Sequence, residues 1–197
     1  MSQSRLVYQY DPSILFSEKL DFTFPDFDQH GFEAYDTPHS QVDAVWWDCA
    51  FGNFAVYPSE VLPANPFPPF REWLADDFDI VRYFVTNTRK RGLETFWNFR
   101  IAGVDVGAKR TAGEGSGIDL SEVNTVKGAH PDWLLSTWWP FGLWNYAVPE
   151  LRRFRTAIIR ELAENYDLDG FQIDFARHIP VLPVGRQWEL RDELTDF

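Results

Sequence analysis

Residues 166 to 180 read Tyr-Asp-Leu-Asp-Gly-Phe-Gln-Ile-Asp-Phe-Ala-Arg-His-Ile-Pro, and their types and spacing suit chemistry at the end of a strand. A helix-like run ends at Tyr166, a turn follows, and Gly170 opens a short apolar strand that runs to Phe175. That strand carries one carboxylate, Asp174, and Arg177 and His178 follow as the chain leaves it. An unpaired buried carboxylate is costly or shifts its pKa, so a strand core normally excludes one. Charges where a strand gives way to a loop suit the rim of a β/α barrel, where the site is built. The plainer reading is an Asp–Arg pair that caps the strand and ties down the loop.

Other strand ends add to the set. Trp46-Trp47-Asp48 closes an apolar run, and Phe96-Trp97-Asn98-Phe99-Arg100 puts Asn98 and Arg100 on one side by its period of two. Gln172 and Asp174 share a side in the same way. In a barrel these inward groups converge near the mouth, where several polar side chains imply a ligand or a buried network. With Arg177 they predict one concave region at the strands' C-terminal ends, with Asp48 at its edge. Hydrolysis of a glycosidic bond needs two carboxyl groups flanking that bond. Asp174 is the first candidate; Asp48, or a carboxylate on a later strand, is the second. Arg177 would hold Asp174 ionised by pairing with it. His178 is a substrate ligand or simply a surface or supporting histidine. Trp46, Trp47, Trp138 and Trp144 are candidates for aromatic walls that stack on sugar faces. Trp133, Trp138, Trp139 and Trp144 cluster in one loop, and packing against the barrel is the competing explanation.

The elements that must position these groups can be read from patterning. Buried strands are expected near Leu6–Tyr10, Val42–Trp47, Glu94–Phe99 and Gly170–Phe175, the second and fourth as short apolar runs typical of a parallel sheet. Trp73, Phe78, Val81, Phe84, Val85 and Thr88 line one side of a helical stretch that stops at Lys90-Arg91-Gly92. Pro149 and Glu150 start a second helix, whose buried stripe is Leu151, Phe154, Ile158 and Leu162. Strand, helix, strand at this spacing predicts right-handed crossovers. Two long connections, 51–70 and 101–146, each follow a strand, and loops of that length usually serve function or lack order. A closed (β/α)8 barrel needs about 250 residues. The expectation is therefore an incomplete parallel β/α barrel of TIM type, about the first four β/α units. Residues 1–197 would be the N-terminal part of one catalytic barrel, cut in its fourth helix, an amphipathic run from Trp188 through Leu190 and Leu194 to Phe197.

Composition narrows the partners. A net charge of -12 argues against nucleic acid and against an anionic membrane surface, but does not oppose a neutral sugar. Aromatics make up 17% of the chain, which suits sugar faces and large cores equally. The single Cys49 excludes an internal disulfide and a multi-cysteine zinc cluster, and reads as a small core residue. His30, His39, His130 and His178 show no close ligand spacing, so no metal and no cofactor are expected. Gly113-Glu-Gly-Ser-Gly117 lacks the Lys of a phosphate loop and reads as a flexible loop. No segment reads as a signal peptide or a membrane span, which would make the protein cytoplasmic if Met1 is its native start. Nothing in the sequence bears on oligomeric state.

Three runs carry a family resemblance: Ala129-His-Pro-Asp-Trp133, Trp144-Asn-Tyr-Ala-Val-Pro-Glu-Leu-Arg152, and Asn165-Tyr-Asp-Leu-Asp-Gly-Phe-Gln-Ile-Asp-Phe-Ala-Arg177. In order and spacing they resemble the glycoside hydrolase-like family 10 barrels, and Gly92 to Ile101 is similar to that family's third strand, which ends in an Arg. The resemblance covers roughly residues 90 to 180. It implies a (β/α)8 barrel, a carbohydrate substrate, and Asp174 near the site with Arg100 and Arg177. The strand around Asp174 also resembles the nucleophile strand of the α-amylase family, but that family has Arg where Gln172 stands, and its earlier Asp…Asn-His signature is absent. The function implied is glycoside hydrolysis through paired carboxylates. A non-catalytic carbohydrate-binding barrel, or a barrel enzyme of another class, are the alternatives.

Overall fold

The computed structural model describes residues 5–11, 23–48, 54–66, 70–102, 126–137, 142–176, 178–195 and 197. In chain order they form β1 (Val7–Tyr10), α1 (Phe24–Phe32), β2 (Ala44–Trp47), α2 (Phe70–Ala75), α3 (Ile80–Lys90) and β3 (Glu94–Phe99). There follow α4 (Val126–Ala129), a 3-10 turn at Pro131–Trp133, β4 (Leu134–Leu135), β5 (Leu143–Trp144), α5 (Pro149–Asn165), β6 (Gly170–Ile173) and α6 (Arg191–Thr195).

Four strands make the main sheet in the order β1-β2-β3-β6. Every pairing in it is parallel. This is the arrangement that alternating strands and crossover helices produce, and it brings all the strands' C-terminal ends to one edge. The register sets Gln9 beside Trp46, Trp46 beside Phe96, and Asn98 beside Gln172. Alternation therefore gives two distinct faces. Tyr10, Val45, Trp47, Trp97 and Phe99 belong to the buried core with Phe32 of α1, Val81 and Phe84 of α3, and Leu151, Ile158 and Leu162 of α5. Trp47 and Phe84 lie 4.1 Å apart between ring centroids. Gly31 makes room for that contact, since a Cβ there would sit 3.0 Å from the Phe84 ring. Burying side chains of this size contributes about 2 kcal/mol each, which is why this face fixes the helices.

Local sequence explains most boundaries. Thr23 caps α1 in a reciprocal box, accepting from the Asp26 amide while its own amide donates to Asp26 at 2.9 Å. Pro149 occupies the first turn of α5 as expected. The helical stretch expected from Trp73 to Thr88 is two helices, not one. Asp77 takes a left-handed backbone (φ 57°), and the Asp79 side chain then accepts from the Arg82 amide at 2.9 Å and starts α3 afresh. Strand β6 stops at Ile173 because Asp174 turns the chain, its Oδ1 accepting from the Ala176 amide at 2.7 Å. The expected irregular connection around Trp144 contains a small antiparallel pair, with Leu134 opposite Trp144. Residues 54–66 of the Pro-rich connection are pinned to α5. There Glu161 accepts from Tyr57 Oη at 2.9 Å, Ser59 Oγ at 2.6 Å and the Glu60 amide at 2.6 Å. Burial, then the bond to Glu161, raises the Tyr57 hydroxyl well above its ordinary range.

Candidate functional site

The two edges of the sheet differ in what their charges do. At the N-terminal edge Arg5 grips Glu94 with two bonds of 2.6 Å, and Asp43 accepts from the Leu6 amide at 2.8 Å. Asp169 there accepts from the Thr95 amide and pairs with Arg89, both at 2.8 Å. These contacts hold strand starts in register, the stabilising role expected of that end.

The C-terminal edge gathers Asp11, Asp48, Asn98, Arg100, Gln172 and Asp174. Each continues the inward phase of its strand: Asp11 follows Val7 and Gln9, Asp48 follows Ala44 and Trp46, and Arg100 follows Phe96 and Asn98. Arg100 Nη2 pairs with Asp11 Oδ2 at 2.5 Å and also with Asp48 Oδ2. Burial works against the Arg100 charge, but the bond to Asp11 and the fields of Asp48, Asp11 and Asp174 outweigh it and raise the guanidinium above its ordinary range. Asp48 is 3% exposed and accepts a further bond from Asn98 Nδ2 at 3.3 Å. Asp174 is half-buried, and its amide donates to the Phe99 carbonyl at 2.9 Å, which keeps β6 against β3 up to this residue.

Several polar atoms on this inward side are shielded from solvent and have no hydrogen-bond partner among the described residues: Trp46 Nε1, Asn98 Oδ1, Gln172 Oε1 and Arg100 Nε. Buried polar atoms are normally paired, so these four keep unused hydrogen-bonding capacity on the inward face. The Trp46 and Phe96 rings, 6.1 Å apart, floor it lower on the same face.

The structure thus brings together six of the residues expected from sequence: Trp46, Asp48, Asn98, Arg100, Gln172 and Asp174. Asp48 lies at the centre of the group rather than at its edge, because Arg100 and Asn98 both reach it. Trp47 does not join. Period two turns it to the opposite face, where it is fully buried and its Nε1 donates to Thr88 Oγ1 at 3.1 Å. Nor does Trp144, whose buried ring is packed by Arg155 at 4.6 Å and Lys127 at 5.0 Å on the helical side. His178 follows the turn after Asp174, half-buried and in a left-handed backbone (φ 60°). Arg177 and Trp138 lie outside the described residues, as do Cys49 and the Gly-rich stretch 113–117. Sequence reasoning missed Asp11, although a carboxylate in phase with the first strand is the signal used elsewhere.

Among the described residues no group of three or more His, Cys, Asp or Glu side chains is placed to hold a metal ion. No described helix is long and apolar enough to cross a membrane.

No family model matches the sequence, and no curated protein matches it. Solved structures do. α-L-Fucosidase isoenzyme 2 from Paenibacillus thiaminolyticus aligns over 97% of this chain and 26% of its own, at 14% identity and a TM-score of 0.55. The galactosidase domain of an α-galactosidase-sucrose kinase aligns over 99% of this chain and 24% of its own, at 16% identity and a TM-score of 0.54. The chain spans about a quarter of the length of either structure. Similarity at these identities is one of fold: the chain has a glycosidase-like arrangement of parallel strands and helices. It does not single out the glycoside hydrolase-like family 10.

Proposed function

We propose that this chain is the N-terminal part of a (β/α)8 barrel of the glycoside hydrolase-like family 10 kind, and that the whole protein hydrolyses a glycosidic bond. The observation that carries the reading is the meeting of Asp174, Asp48 and Asp11 around one arginine, at the strand ends of a glycosidase-like fold. Asp174 is the catalytic carboxylate: among the three it is not bonded to Arg100 in the structure, and the turn at Ala176 fixes its carboxyl by one oxygen. The second carboxyl that the reaction requires falls to Asp48, or to Asp11, the more open of the two. If Asp11 takes that part, Asp48 is a positioning residue that holds Arg100 and Asn98. The reading calls for a carbohydrate substrate and for no cofactor or metal.

The test is turnover of an aryl glycoside panel by the protein and by its Asp174→Asn, Asp48→Asn and Asp11→Asn variants. Release of aglycone by the wild type that Asp174→Asn abolishes supports the reading. Sugar binding without turnover, unchanged in Asp174→Asn, would instead make the barrel a carbohydrate-binding module.

A further inference from the structure

We infer that the site selects an uncharged, hydroxyl-bearing sugar face and rejects anionic sugars, through a paired amide acceptor made by Asn98 and Gln172 with the Trp46 indole as donor. This deepens the reading above and rests on it for the sugar class. The argument begins with orientation. Asp48 is also engaged by Arg100, and as a carboxylate it can only accept, so the amide end turned to it at 3.3 Å must be Asn98 Nδ2. That leaves Asn98 Oδ1 facing away, in a side chain that is fully buried, with no donor. Gln172 is its direct neighbour in the parallel register, and Gln172 Oε1 is likewise shielded and without a donor. Two unpaired carbonyl acceptors on adjacent strands, whose neighbouring positions lie roughly 5 Å apart, suit a pair of adjacent ligand hydroxyls.

The remaining groups exclude the other ligand classes. Trp46 Nε1 is a donor only and has no acceptor, so the ligand must accept as well as donate. A carboxylate donates nothing to Asn98 or Gln172, and would face Asp11, Asp48 and Asp174, the first two of which already share Arg100. A hydroxyl does both. The ring faces of Trp46 and Phe96, 6.1 Å apart, supply an apolar surface for the C–H side of the same sugar.

The experiment is a titration followed by protein NMR. The probes are the methyl glycosides of glucose and galactose, set against methyl glucuronide and methyl galacturonide. The inference expects at least one neutral glycoside to bind, with its uronide counterpart at least tenfold weaker. Gln172→Leu and Trp46→Phe, each checked for a native circular dichroism spectrum, should each weaken that neutral glycoside roughly tenfold, the effect of one lost hydrogen bond to a buried partner. Trp46→Phe keeps the ring and so serves if Gln172→Leu fails to fold. Charged glycosides binding as tightly as neutral ones, both folded variants binding like the wild type, or no probe binding at all would overturn it. Binding of this pattern without hydrolysis leaves the inference standing and removes the proposed catalysis, so the two failures are distinct.

Discussion

Arg100 meets Asp11 at 2.5 Å, Nη2 to Oδ2, although their strands are not neighbours and β2 runs between them. The same guanidinium nitrogen also reaches Asp48 at the end of β2, so one side chain of β3 gathers the ends of three strands. Such a clasp is worth more as a positioning device than as net stabilisation, because bringing three charges out of water offsets much of their attraction.

Removing only the cation should expose that balance. Arg100→Met is expected to destabilise the fold by about 3–5 kcal/mol, since Asp48 would be left buried and uncompensated. Adding Asp48→Asn to it should recover part of the loss. Urea denaturation of the two variants measures both effects; a change below about 1 kcal/mol for Arg100→Met would show that Asp48 is not held as described.

Asp174→Asn should leave the thermal midpoint near that of the wild type, because an amide oxygen can still accept from the Ala176 amide. Its glycosidase turnover should fall by about 10²–10⁴-fold, the usual loss when a proton-transferring carboxylate is removed. Steady-state kinetics on a chromogenic glycoside gives the number, and an unaltered kcat would remove Asp174 from the mechanism.

Adjacent tryptophans should behave as opposites. Trp47→Ala is expected to cost about 3–5 kcal/mol, as a fully buried ring packed on Phe84 and bonded to Thr88 is lost. Trp46→Ala should cost only about 1 kcal/mol, since its half-buried ring leans on Phe96 from the open face. Paired denaturation curves decide this, and equal losses would contradict the two-faced sheet.

Acid stability should carry a contribution from Asp36. Two bonds of 2.6 Å from Arg91 hold its carboxyl below the ordinary range, with partial burial acting the other way. A lowered folded value means stability that is present above the unfolded pKa of about 3.9 and is lost as pH falls through the folded value. Asp36→Asn should therefore be less stable than the wild type at pH 7, with the gap closing toward pH 2. Melting curves across that range test it; a gap that widens on acidification would reverse the sign. Asp36 is partly exposed, so solvent screening keeps the effect small.

How much of this was legible in the sequence depends on the range of the interaction concerned. Strand β3 was expected and found at Glu94–Phe99, and Pro149 marked the start of α5, because periodicity and first-turn preferences act within a few residues. The same period of two placed Asn98 with Arg100 and Gln172 with Asp174. Applied strictly to β2, it would also have separated Trp46 from Trp47, which were expected together as wall. Tertiary structure alone decided which face of the sheet the helices cover, and hence that Trp47 is core while Trp46 faces the candidate site. It likewise decided that Trp144 packs beneath Arg155 and Lys127, and that Asp11 shares Arg100 with Asp48. These partners lie more than ten residues apart in the chain, beyond the reach of local preferences, and their meeting is fixed by strand order and packing. Local sequence encodes the phase of each strand, but only the assembled sheet determines what each phase faces.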